Sequence, residues 1–169
     1  MSERHSTHQK TRMRKTITAA TLLSLLSGTT AAKGENCSDG CISVSIGNLR
    51  NSDGKVGVAL FRVKDGFPDK TERALEGRII PAGEHCLVKF EHVPYGTYAV
   101  SVLHDENSNG KMDKTFIGIP KEGFGTSNNP KVRMGPPSFS ESSFELDKGD
   151  ITINISLNYL NQRSIQKQQ

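Results

Sequence analysis

The stretch ITINISLNY, Ile151 to Tyr159, constrains the fold more than any other part of the chain. Ile151, Ile153, Ile155, Leu157 and Tyr159 share one face, and Thr152, Asn154, Ser156 and Asn158 share the other. A period of two is the signature of a pleated strand with one buried face. Weaker versions recur along the chain. CISVSI sets Ile42, Val44 and Ile46 against two serines, and HCLVKFEHV sets Cys86, Val88 and Phe90 against His85, Lys89 and Glu91. VGVALFRV, Val56 to Val63, is apolar on both faces until Arg62 and reads as a central strand. After the Pro94-Tyr95-Gly96 turn, Tyr98, Val100 and Val102 fall on one face with Ala99 and Leu103 on the other. Asp53-Gly54 reads as a hairpin turn, and one helical turn is expected over Lys70 to Leu75. No segment sustains the 3.6-residue period of an amphipathic helix. The expected fold is all-β, an antiparallel β-sandwich of about seven strands.

The N-terminus reads differently. Arg4, Lys10, Arg12, Arg14 and Lys15 precede the apolar run ITAATLLSLLSG and the small residues TTAA. A basic region, a short apolar region and a small-residue cleavage site describe a secretory signal peptide. The apolar run is shorter than the roughly 20 residues a spanning helix needs. Cleavage is expected after Ala32, which leaves a β-sandwich domain over 33–160 and a polar, frayed tail over 161–169. The localisation expected is export, to the periplasm or beyond. The chain has 22 basic and 18 acidic residues. Five of the bases and one of the acids lie in the first 32 positions, leaving 17 of each in the remainder. A neutral body without a basic block gives no electrostatic reason to expect nucleic acid, and no later segment is apolar and long enough to span a membrane.

Three cysteines, Cys37, Cys41 and Cys86, allow one disulfide and one remaining thiol in an exported protein. A bridge from Cys86 to Cys37 or Cys41 would tie the first strand to the body. A Cys37–Cys41 bridge across CSDGC is the rival pairing, and no Cys-x-x-Cys redox pair is present.

The chemistry-bearing stretch is LHDENSNGKMDKTFIGIPKEGFG, Leu103 to Gly125. Asp105 to Asp113 fits D-x-N-x-N-G-x-x-D, in which oxygens at positions 1, 3 and 5 converge, glycine at 6 allows the turn and position 7 supplies a carbonyl. Those positions are Asp105, Asn107, Asn109, Gly110 and Lys111, with Asp113 at position 9. Alternation lets every second side chain point inward around a hard ion, so the expected metal is Ca²⁺. Position 12 is Phe116 rather than glutamate and no helix flanks the loop, so this is not an EF-hand. The alternative is an Asn/Asp/Gly turn whose side chains bond their own backbone. Glu122, framed by glycines, is a candidate for a ligand or metal contact, with a solvated charge as its alternative. His104 is expected on the polar face of its strand, and no serine or cysteine nucleophile is paired with it. The gap from Asp105 to Lys148 holds five glycines and four prolines but also Phe116, Ile119, Phe124, Phe139 and Phe144. A segment that apolar reads as an ordered loop packed over one end of the sandwich.

VPYGTYAVSVLHDENSNGKMDKTFIGIPKEGFGTSNN, with GPPSF and the closing strand to Tyr159, resembles a bacterial exported family known as domain of unknown function 2141. The resemblance spans roughly Ile42 to Tyr159 and implies a single-domain sandwich similar to transthyretin-like and collagen-adhesin B-type modules, in keeping with the immunoglobulin-like or transthyretin-like fold expected from the strands. VLHDENSNGKMD is also similar to calcium loops of B-repeat β-sandwich modules, although Lys114 follows Asp113 where those repeats continue acidic. The expectation is a non-enzymatic, calcium-binding module whose partner is a protein or glycan of the cell envelope. The rivals are a carbohydrate-active enzyme using Glu122 and the Asp105 cluster, and a metal-free structural protein.

Overall fold

The computed structural model describes residues 39–131 and 135–160. The expected leader, Cys37 and the polar tail lie outside these residues. Eight strands form two sheets. One sheet orders β4 (Cys86–Pro94), β1 (Asp39–Gly47) and β8 (Ile151–Ser156). The other orders β3 (Glu76–Pro81), β2 (Lys55–Phe61), β5 (Gly96–Asp105) and β6 (Gly123–Thr126), with β7 (Phe144–Leu146) also on β5.

The alternating faces read from sequence meet between the sheets. Ile42, Val44 and Ile46 of β1, Val88 and Phe90 of β4 and Ile155 of β8 pack in one core with Val56, Val58 and Leu60 of β2 and Tyr98, Val100 and Val102 of β5. Each fully buried aliphatic or aromatic side chain of this kind contributes roughly 1.5–3 kcal/mol. The Tyr98 hydroxyl, buried with its ring, donates to the Pro94 carbonyl at 2.5 Å. β5 is paired with β2 along one edge and with β6 (at Ser101–His104) and β7 (at Gly96–Tyr98) along the other, and its middle is buried on both faces.

Several expectations are corrected. β8 runs parallel to β1, from Ile42 beside Ile151 to Gly47 beside Ser156, so the sandwich is not wholly antiparallel. Parallel neighbours need a crossover rather than a hairpin, and here the rest of the domain intervenes. Asp53-Gly54 is not a hairpin turn either, because β1 and β2 belong to different sheets. The expected helical turn is a short 3-10 turn over Thr71–Arg73. β3 escaped notice because its edge position leaves Arg78 and Ile79 both exposed, which erases the alternation. The described residues of the long Gly/Pro segment carry defined elements. It holds β6, a one-turn helix α1 (Phe139–Ser142) closed by a Ser138–Glu141 capping box, and β7. Asn129 ties it to the far sheet, donating to Asn154 O at 2.8 Å and accepting from Ser156 N at 2.8 Å.

Cys41 and Cys86 are free thiols. Cys86 lies opposite Ile46, five positions along β1 from Cys41. That is about 17 Å at 3.4 Å per residue, beyond the roughly 7 Å Cα limit for a bridge.

Candidate cation-binding loop

β5 ends at Asp105, where the chain leaves the sheet into a loop that returns through Glu122 to β6. The loop is built from its own polar side chains. Asp105 is only 7% exposed, and its two carboxylate oxygens accept from Asn109 N at 3.0 Å and Gly110 N at 2.7 Å. Asn107 Oδ1 also accepts from Asn109 N at 3.0 Å, and Asn109 Oδ1 from Lys111 N at 3.0 Å. Gly110 has φ +82° with nothing within 4 Å of where a Cβ would stand, so glycine is required there by conformation rather than by space.

The two asparagines then reach across the loop to one carboxylate. Asn107 Nδ2 donates to Asp113 Oδ2 at 2.7 Å, and Asn109 Nδ2 donates to Asp113 Oδ1 at 3.2 Å. Asp105, Asn107, Asn109 and Asp113 are thus brought into one hydrogen-bonded cluster. Each carboxylate or amide oxygen accepting a single N–H keeps a second lone pair. The donor set is hard oxygen, from Asp105, Asn107, Asn109, Asp113 and the Lys111 carbonyl, and it fits Ca²⁺ in kind. Among the described residues no three side chains of His, Cys, Asp or Glu form a metal group by themselves. That leaves the mixed carboxylate–amide set as the available one.

Glu122 proves to be neither a solvated charge nor a free acid. It is 4% exposed, and its two oxygens accept from Glu106 N at 3.1 Å and Asp113 N at 2.9 Å. It therefore staples the outgoing arm of the loop to the returning one. Glu106 is held from outside. Arg50 from the β1–β2 connection meets it with Nε at 2.7 Å and with a second, shorter bond from Nη2, and Asn51 Nδ2 donates to it at 2.7 Å. Arg50 Nη2 also donates to the Lys121 carbonyl at 3.0 Å, and its guanidinium lies 4.7 Å from the centre of the Tyr159 ring.

His104 is fully buried rather than on a polar face. Its Nε2 lies 2.8 Å from the Asp53 carbonyl, which can only accept, so Nε2 carries the hydrogen. Nδ1 then accepts from the Tyr159 hydroxyl at 2.7 Å, and that hydroxyl in turn accepts from Arg50 N at 3.2 Å. Both ring nitrogens are committed to holding the β1–β2 connection against β5. Burial pushes the Tyr159 phenol above its ordinary value. Arg50, Asn51 and Tyr159 carry no motif signal, because their partners lie about half the domain away in sequence.

The Arg50 hydrogen bond, with help from Asn51 and against some cost of burial, holds the Glu106 carboxyl below the usual carboxylate range. A depressed folded-state value means that the pair stabilises the fold above the unfolded value, about pH 4.3, and that this is lost as pH falls through the folded value. Arg50→Met is accordingly expected to lower urea stability at neutral pH by about 1 kcal/mol after discounting for solvent screening. The difference from the parent should shrink as pH falls through that lowered value, leaving the part due to the Lys121 bond and the Tyr159 ring.

No curated protein and no solved structure matches the chain. Residues 44–154 match a family described as uncharacterised protein conserved in bacteria (DUF2141), and the match takes in β1 from its middle, the whole polar loop and most of β8. By that match the chain belongs to the DUF2141 family of bacterial proteins.

Proposed function

We propose that this is an exported, non-enzymatic β-sandwich module that binds Ca²⁺ in the Asp105–Asp113 loop and so fixes the loop end of the sandwich as a binding surface in the cell envelope. The observation that carries this reading is uncompensated negative charge. Asp105, Asp113 and Glu122 lie in one loop, two of them buried, and among the described residues no lysine or arginine forms an ion pair with any of the three. Arg50 is within electrostatic range of Glu122 but spends its hydrogen bonds on Glu106 and Lys121. Buried carboxylates are ordinarily paired or coordinate a metal. Export is supported by the three-part leader pattern over residues 1–32.

A metal-free turn is the second reading, and the Asn109 and Lys111 amides bonded to the Asn107 and Asn109 oxygens favour it. The enzymatic reading draws less support. Both oxygens of Glu122 and both of Asp105 are spent on backbone N–H groups rather than aimed at a cleft.

With two carboxylates in the set, a Kd of roughly 10⁻⁴–10⁻³ M, the range of extracellular modules, is expected. Calcium at about ten times Kd then stabilises by about 1.4 kcal/mol, a rise of about 5 °C in Tm for a domain of this size. Asp105→Ala should remove that rise, and Mg²⁺, which keeps its waters and demands octahedral geometry, should give less of it. Equal melting in EGTA and in millimolar Ca²⁺ would leave the metal-free turn as the correct reading.

A further inference from the structure

Beyond the polar loop the chain makes a second, smaller turn. Lys114 and Pro120 form an isolated antiparallel bridge. Thr115 N donates to Ile119 O at 2.8 Å, Gly118 N to Thr115 O at 2.9 Å, and Ile119 N to Thr115 Oγ1 at 3.0 Å. Lys121 N donates to Asp113 O at 2.9 Å, closing the base. These bonds hold a five-residue tip, and what it displays is apolar. Phe116 is 100% exposed, Ile117 63%, and Ile119 is exposed beside them. Other large apolar side chains at the surface, such as Ile79 and Leu87, stand singly on edge strands, which is ordinary. Three in four consecutive positions, held by a fixed turn, make a patch.

The exposed charged side chains beside the tip are lysines. Lys114 and Lys121 are exposed and flank its base, and Lys111 is exposed in the polar loop that leads into it. The nearby carboxylates are less exposed than the lysines: Asp105 and Glu122 are buried, Asp113 is half-buried, and Glu106 is paired with Arg50. Asp113 takes the amides of Asn107 and Asn109, Glu106 takes Arg50, and Asp105 and Glu122 are buried on backbone N–H groups.

We propose that this tip is an anchor for an anionic lipid bilayer. Phe116, Ile117 and Ile119 enter the boundary between headgroups and acyl chains, and the three lysines lie against lipid phosphates. A convex tip offers no concavity to enclose a peptide or a sugar. It does suit the roughly 5–10 Å depth to which interfacial elements bury their apolar side chains. Each lysine near an anionic surface strengthens binding by about fivefold at low salt. The proposal names a lipid surface within the envelope reading above, but it does not rest on calcium occupying the polar loop, because the tip is fixed by backbone bonds.

The chain contains no tryptophan, so Phe116→Trp introduces a single indole whose emission reports on the tip and not on the apolar leader. The full chain carrying this substitution is titrated with vesicles of phosphatidylcholine containing phosphatidylglycerol, and with vesicles of phosphatidylcholine alone. The expected result is a blue shift on the anionic vesicles, at least about tenfold tighter than on the neutral ones and weakened by high salt. Lys114→Glu together with Lys121→Glu in the same background should weaken binding by more than about tenfold. Ile117→Ser should reduce the shift, while Tm stays unchanged because all these side chains are exposed. Titration in EGTA should give the same curve. An unshifted emission on anionic vesicles, or a shift indifferent to lipid charge or to lysine reversal, overturns the proposal. A shift that requires calcium also overturns it, since the attraction would then belong to the ion and not to the lysines.

Discussion

Gly54→Ala is expected to destabilise the domain by about 3 kcal/mol, from left-handed strain of about 1–2 kcal/mol and overpacking of about 1–3 kcal/mol. Gly54 has φ +70°, and a Cβ there would stand 2.1 Å from the Asp105 carbonyl oxygen and 2.7 Å from Glu106 Cα. Those are backbone atoms of the residues that open the polar loop, so no side chain can swing away to relieve the contact. Gly110→Ala is the natural comparison. It suffers a similar conformational penalty at φ +82° but meets nothing within 4 Å, so it should cost only about 1–2 kcal/mol. Both substitutions gain equally from a stiffer unfolded chain, which therefore cancels in the comparison. Urea denaturation at unchanged m-value measures the two. The Gly54 variant should also lose the calcium-induced rise in Tm, since Asp105 is displaced with its carbonyl. If Gly54→Ala is no worse than Gly110→Ala, the close packing of the β1–β2 connection on the loop is not what holds Asp105 in place.

Removing the Glu122 carboxylate should be costlier still. Glu122→Ala leaves the N–H groups of Glu106 and Asp113 without their acceptor, and both bonds are part-buried. Hydrogen bonds to a charged group are worth about 1.5–3 kcal/mol each, so a loss of about 4 kcal/mol is expected, a large share of a domain's 5–15 kcal/mol. Glu122→Gln should cost about half as much, because one carboxamide oxygen still accepts while the NH₂ faces the other amide. Denaturation gives the magnitudes, and hydrogen exchange at the Glu106 and Asp113 amides gives the location, since both should lose protection in the alanine variant. A cost below about 1 kcal/mol, the range of an exposed pair, would show that Glu122 does not join the two arms.

These two residues mark the border of what a reader of the sequence can extract. The alternation of Asp105, Asn107, Asn109 and Asp113 is local, and local spacing dictates which side chains share the concave side of a short loop. Ile42, Val44 and Ile46 declared their buried face by the same local rule. Glu122 could be seen as an acid between glycines, but its burial depends on two arms meeting in space. Arg50 and Glu106 lie 56 positions apart, and no periodicity encodes such a pair. β6, written GFGT, hid because glycine contributes no side chain to an alternating pattern. The direction of β8 was illegible for a related reason: its two faces are the same whether its neighbour runs with it or against it.

That direction has a consequence for how the molecule comes into being. Cys41 and Asp150, 109 positions apart, are hydrogen-bonded where the first strand lies along the last. A ribosome making this chain must release β8 before β1 can acquire its second neighbour. Such long-range pairing makes for slow folding. Until then β1 has only β4 beside it, and its other edge stands open to pairing with a strand of another chain.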